Sequence, residues 1–260
     1  MRLALGLAYD GTSFQGYQTQ PGGHTVQDHL ERAVSAFLEC PLEAVDTTAA
    51  GRTDAGVHAE GQVVHLDTSV ERPEWNWVRG LNSFLPSEIR VRWAAPVRND
   101  FHARFSALAR SYRYQIWNEP VDHPLQQRFA TWVFQPLDLN ALQQASLALL
   151  GEHDFSAFRA AECQAASPVR VLTQCHWAQR GPLLTFTIKG NAFLHHMVRN
   201  IVGTLVEVGR GARPVEWVSE VLASQDRTRA GRTFPAQGLC LTEVEYPEPF
   251  VGTLVTGDTR

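Results

Sequence analysis

The stretch Ala50-Gly51-Arg52-Thr53-Asp54-Ala55-Gly56-Val57-His58 decides how the rest of this chain is read. Two glycines bracket an Arg-Thr-Asp trio, and glycine lets backbone turn tightly or approach another group closely. The stretch reads as a loop between two strand-like segments, the second being Gln62-Val63-Val64-His65-Leu66. Toward the N-terminus, Leu3 to Tyr9 alternates and runs into Asp10-Gly11, a strand ending in a turn. Thr25-Val26-Gln27-Asp28 has the form of a capping box. It opens a helix whose apolar face falls at Val26, Leu30, Ala33 or Val34, and Phe37. Pro73 starts a second helix bearing Trp77, Leu81 and Phe84, and Ile89 to Trp93 forms another strand.

A second set of elements follows. Arg110 to Trp117 alternates strictly, placing Tyr112, Tyr114 and Ile116 on one face and Ser111, Arg113 and Gln115 on the other. The pattern predicts a helix over Asp138 to Leu150, closed by Gly151. A hairpin joins Val169–Trp177 to Leu183–Lys189 around Arg180-Gly181-Pro182. A long helix runs from Phe193 to Val208, and Leu239 to Val244 supplies a closing strand. This order predicts an α+β fold: two related lobes, residues 1–106 and 107–260, each with a mixed, largely antiparallel sheet flanked by helices. The first lobe carries the Asp54 loop.

With 260 residues, 44% of them hydrophobic, the chain can bury a sizeable core, which excludes global disorder. No apolar run approaches the ~18 residues a membrane span needs. The N-terminus MRLALGLAYDG is interrupted by Asp10 too soon for a signal peptide. Cys40, Cys163, Cys175 and Cys240 show no close pairing, as expected of free thiols in a reducing compartment. The expectation is a cytoplasmic protein. A net charge of −4 does not advertise a nucleic-acid partner, but the cations are segregated. Arg98, Arg104, Arg110 and Arg113 face a single acid, Asp100, and Arg227, Arg229 and Arg232 follow later. Glu243, Glu245, Glu248 and Asp258 gather near the end.

Several chemistries fail on their residue requirements. An aspartic protease needs two Asp-Thr/Ser-Gly loops, and only one loosely similar loop exists. His58-Ala59-Glu60 mimics the H-x-E of zinc deaminases, but no C-x-x-C completes the metal shell. Adjacent histidines point about 100° apart on a helix, so His195-His196 reads as structure or RNA contact rather than a metal site. P-loop, GxGxxG and GxSxG signatures are missing, and no cofactor or metal is implied. By residue type alone the Asp54 loop is either a surface turn with an Asx hydrogen bond or a site for an ionised carboxylate, held charged by a nearby arginine.

Gly51 to Ala59 resembles the catalytic signature of the TruA family of tRNA pseudouridine synthases. Tyr9-Asp10-Gly11-Thr12-Ser13-Phe14-Gln15-Gly16 resembles that family's N-terminal strand and turn. Asp100 to Ala107 with Arg110 to Tyr114 resembles its central segment, Asn191 to Gly203 its long helix, and Gly238-Leu239 its closing strand. The matches come in family order along almost the whole chain. The resemblance implies the pseudouridine synthase fold with a catalytic cleft between the lobes, and an isomerase that needs no cofactor. It implies uridine-to-pseudouridine conversion at positions 38, 39 and 40 of the tRNA anticodon stem-loop, by a homodimer that reads tRNA shape.

Residue by residue, the resemblance makes Asp54 the catalytic carboxylate, Arg199 its ion-pair partner, and Tyr112 the ring that stacks on the target base and serves proton transfer. Arg52 is implied to help displace the base, which must be flipped out before C1′ is reachable. Leu239 is implied to wall the pocket. Arg98, Arg104, Arg110, Arg113, Arg210 and Arg213 are candidate phosphate contacts, for which the planar guanidinium fork is suited. Tyr17 stands where the family commonly has Trp. Two other readings stay open: a non-catalytic tRNA-binding or chaperone protein on the same scaffold, and a synthase acting on other RNA positions.

Overall fold

The computed structural model describes residues 1–248 and 250; Asp258 lies outside them. The chain forms two compact units, Met1–Leu108 with the described residues from Leu241 on, and Ala109–Cys240. Sequence pattern puts the division at 106/107 with everything later in one lobe. Compactness puts it at 108/109 and returns the last strand from Leu241 on to the first unit. The physical reason is a set of close contacts inside that unit. A Cβ on Gly61 would lie 2.2 Å from the Thr242 carbonyl, the Leu108 N–H donates to the Glu245 carbonyl at 2.8 Å, and the Tyr246 hydroxyl donates to the Ala103 carbonyl at 2.7 Å.

The first unit contains β1 (Arg2–Tyr9), α1 (Val26–Leu38), β2 (Thr47–Ala49), β3 (His58–Asp67), α2 (Glu74–Phe84) and β4 (Ile89–Val97). Strands β4, β1 and β3 lie side by side and antiparallel, with β2 on β3. The capping box is present in full. Thr25 accepts from the Asp28 N–H and Asp28 accepts from the Thr25 N–H, satisfying two donors that helix geometry leaves unpaired. The two helices meet where the Phe37 ring packs edge-on against Trp77, centroids 5.2 Å apart. Gly80 makes the room, since a Cβ there would sit 2.0 Å from the Phe37 ring. Trp77 is fully buried, which contributes roughly 3 kcal/mol of apolar transfer. Phe101, Ala103 and Tyr246 form a cluster with Ala4 of β1 and Val63 of β3.

The second unit contains β5 (Ala109–Asn118), β6 (Thr131–Val133), α3 (Leu139–Leu147), β7 (Gly151–Asp154), β8 (Val169–Arg180), β9 (Leu183–Gly190), α4 (Met197–Gly209) and α5 (Trp217–Ser224); the chain then enters β10 (Leu239–Glu245). Strands run in the order β5, β9, β8, β7, all antiparallel, with β6 parallel to β5. Gly181, at φ +57°, makes the hairpin turn between β8 and β9. Trp177 stacks on Phe186 across that hairpin at 4.8 Å and donates its indole N–H to Ser146 of α3. Among the described residues the architecture is mixed α+β with ten strands and five α-helices, as the pattern predicts, and no helix is long and apolar enough to cross a membrane.

Three expectations are corrected in detail. The helix read from Phe193 begins only at Met197, because His196 sits in the left-handed region at φ 60° and breaks the run. The helix read to Leu150 ends at Leu147, after which the Leu149 and Leu150 N–H groups bond three residues back in a tightened turn. Gly151, at φ +97°, then opens β7 instead of capping a helix. The strands β2, β6 and β7 are too short to show a period, and α5 follows Pro214 with only Val218, Val221 and Leu222 buried.

One buried group gives the first unit a pH dependence. His65, only 6% exposed, accepts the Ala103 N–H at Nδ1 and packs against His102 at 4.9 Å. Burial, helped by the charges of Arg2 and His102, pulls its pKa from the usual 6.5 to about 4. The unfolded chain takes up a proton near 6.5 that the folded chain refuses until about 4. Stability is therefore full above that window, falls through it on acidification, and levels off below it. Urea unfolding over a pH series is expected to show that decline, and His65→Asn to make it shallower.

Candidate active site

The Asp54 loop is built against the Asp10–Gly16 turn, so two motifs read separately in the sequence are one object in the first unit. The Tyr17 N–H donates to the Thr53 carbonyl at 3.0 Å, and the Gly56 N–H approaches the Phe14 carbonyl at 3.4 Å. Gly16, at φ +90°, passes so near that a Cβ would be 2.8 Å from the Thr53 oxygen. A Cβ on Gly11 would overlap the Val57 carbonyl at 2.0 Å. The Val57 N–H closes back on the Asp54 carbonyl at 3.1 Å, and Gly56 takes φ +77° to allow that turn. Asp54 is half-buried and Arg52 is exposed. His58 is buried, and its Nδ1 accepts the Gly11 N–H at 3.0 Å. The same Nδ1 lies 3.2 Å from Asp10 Oδ1, so the ring is wedged between the Gly11 N–H and that carboxylate.

Behind the loop lies a short polar chain. The Tyr9 and Thr53 hydroxyls are 2.8 Å apart, and the Gln62 amide donates to the Gly51 carbonyl at 2.8 Å. All three side chains are buried. Gln62 stands among other polar residues of β3 (His58, Glu60, His65 and Asp67), so no interruption in the strand's pattern marks it in the sequence.

In the second unit, Tyr112 on β5 is 9% exposed and its ring meets Phe193 edge-on at 5.0 Å. Tyr114, on the same face, is pinned by its hydroxyl to Thr131 and to the Pro235 carbonyl, and burial raises its pKa. Gly238 lets the segment before β10 lie on Tyr114, a Cβ there being 2.6 Å from the ring. Leu239, next in sequence, is buried. Arg199 on α4 is half-buried. Its Nε donates to the Phe234 carbonyl at 2.8 Å while the Phe234 N–H donates back to the Arg199 carbonyl at 3.1 Å. This double link fixes the guanidinium stem.

Beside Arg199 is a network that sequence reading missed. Asn200, fully buried, donates to the Phe158 carbonyl and accepts from Arg227 at 3.0 Å and from the Thr233 hydroxyl at 2.6 Å. Arg227 also donates to the Gly231 carbonyl. Gly203 permits the contact, since a Cβ would lie 1.8 Å from the Arg232 oxygen. The signal was a single Asn inside an apolar helical stripe.

The candidate phosphate contacts differ in setting. Arg98 is exposed and bidentate to Asp100, and Arg210 pairs with Glu207. Arg104 is exposed with its guanidinium 5.7 Å from the Phe105 ring, and Arg213 lies 5.0 Å from the Trp217 ring. Arg110 is buried and donates to the Asn191 carbonyl, and Arg113 is half-buried. His195 and His196 precede α4 instead of lying on it. Their rings are 4.0 Å apart, so the 100° helical divergence does not apply.

Comparison with known proteins places the chain in a family. A family model described as tRNA pseudouridine synthase matches residues 7–106 and 145–247. The chain is 55% identical over 249 residues to the tRNA pseudouridine synthase A of Bordetella petrii, covering 96% of this chain and 92% of that one. It is 54% identical to the protein of the same name from Paraburkholderia xenovorans, covering 96% and 91%. The chain belongs to the tRNA pseudouridine synthase family.

The Asn200 network predicts a measurable cost. Asn200→Leu leaves the Thr233 hydroxyl, one Arg227 N–H and the Phe158 carbonyl without the partner they have in the folded chain, and chemical denaturation should show a loss of about 3 kcal/mol.

Proposed function

We propose that this protein isomerises uridine to pseudouridine in the tRNA anticodon stem-loop, at positions 38, 39 and 40, with Asp54 as the essential carboxylate. The observation that carries the reading is the Gly51–His58 loop of a family member, clamped by backbone on one side and by buried hydroxyl and amide groups on the other. In the reaction the N1–C1′ bond breaks, the uracil turns, and C5 bonds to C1′. The C5 hydrogen leaves as a proton and N1 gains one, so nothing is oxidised and no group is lost. Such a step needs a charged, well-placed carboxylate more than it needs any further reagent.

Arg199 is assigned as the ion-pair partner of Asp54, and its stem is held for such a task by Phe234. Tyr112 is assigned to stack on the base, Arg52 to help extrude it, and Leu239 to shape the pocket wall. Exposed Arg52 suits a group that meets a duplex before the base leaves it. Of the surface arginines, Arg104 and Arg213 lie beside aromatic rings, a setting that suits contact with RNA. A homodimer acting in the cytoplasm completes the reading, since two modest basic patches can then serve one tRNA despite a net charge of −4.

Tritium release from [5-³H]uridine-labelled unmodified tRNA tests this. Wild type releases tritium. Asp54→Asn lowers the rate by at least roughly 100-fold while tRNA affinity holds, because the phosphate contacts are untouched. Parallel loss of binding and turnover would count against Asp54. Arg199→Ala is expected to lower turnover far more than affinity, and near-normal turnover would remove Arg199 from the catalytic set.

A further inference from the structure

We infer that Tyr9 and Gln62 are positioning residues for Asp54, acting through the two loop residues that precede it at one and three positions' distance. The inference rests on the proposed role of Asp54 and deepens it. Gln62 lies in β3, has no solvent exposure, and is anchored at its oxygen end by the Val63 N–H at 3.2 Å. That bond decides which end of the amide faces the loop, so Nε2 is the end that donates to the Gly51 carbonyl at 2.8 Å. The same nitrogen is 3.5 Å from the Tyr9 hydroxyl, which is 2.8 Å from the Thr53 hydroxyl. Tyr9 ends β1 and faces Ala59 across the β1–β3 pair, so both supports stand on the sheet and not on a loop.

Asp54 is thereby held on both sides. Gly51 and Thr53 are tied by side chains to β1 and β3, while the Thr53 carbonyl is tied to the Tyr17 N–H and the Asp54 carbonyl to the Val57 N–H. Three buried polar side chains where apolar ones would pack at lower desolvation cost call for a reason beyond stability. Placement supplies one, because an error of about 1 Å at a reacting group can cost a hundredfold in rate. The supports are neutral as well, so they fix the backbone of the carboxylate without competing with a cation for it.

Single-turnover tritium release, tRNA binding and thermal melting on the full chain test the inference together. Tyr9→Phe keeps the ring and removes only the hydroxyl. The expected result is a rate lowered by roughly 10- to 100-fold, tRNA affinity within twofold of wild type, and melting lowered by only about 2–4 °C. Gln62→Met, which keeps the length and removes the donor, is expected to behave alike. Tyr9→Phe combined with Thr53→Val should be no slower than the slower single variant, because both remove one bond. A merely structural role would lower the melting temperature while leaving the rate below melting unchanged, and wild-type rates in both single variants would overturn the inference alone. Absence of tritium release by wild type would overturn the reading of Asp54 and this inference with it. If Gln62→Met fails to fold, Tyr9→Phe and the double variant decide.

Discussion

Two glycines, Gly11 and Gly16, bring the N-terminal turn so close to residues 53–57 that no side chain fits between the backbones. Much else in the first unit follows from that approach. It lets the Tyr17 N–H reach the Thr53 carbonyl, sets the buried His58 against Gly11, and leaves Asp54 half-buried on a loop with little freedom to move. Loops normally lack this rigidity because their backbone groups are spent on water. Here they are spent on a second loop, so the segment that carries Asp54 is ordered by the fold itself.

The second unit applies the same economy to a helix. α4 is apolar along most of its length, yet at Asn200 it admits one amide that gathers Phe158, Arg227 and Thr233. Gly203, one turn along, gives up its side chain so that the Arg232 carbonyl can approach. The segment 227–234 is thus bound to the helix by hydrogen bonds, and Phe234 in turn holds Arg199. A buried polar network of this kind is costly when half-satisfied and stiff when complete. Every polar end of Asn200's side chain is used.

Element types along most of the chain were legible because their periods are strong. The capping box at Thr25, the alternation from Arg110 to Trp117 and the Gly181 hairpin all rest on local chemistry that tertiary structure had no cause to overrule. Boundaries were less legible where a single residue broke the local rule. His196 adopts a left-handed conformation unusual for a side-chain-bearing residue, and nothing in its neighbours' periodicity announces this. Short strands such as β2 and β7 were invisible because three or four residues cannot display an alternation.

The sequence by itself determined the α+β class, the order of long elements, and the family, since those depend on spacing and on motif residues that stand together in the chain. The tertiary structure decided which motifs support each other. That Tyr9 and Gln62 stand behind Gly51 and Thr53 depends on the antiparallel register of β1 and β3, and the register is set by sheet pairing and not by any local pattern. The placement of the residues from Leu241 in the first unit was likewise decided by Gly61, Ala103 and Leu108, all more than a hundred residues earlier in the chain. Contacts between segments so far apart leave no period to read, and they become visible only when the chain has folded.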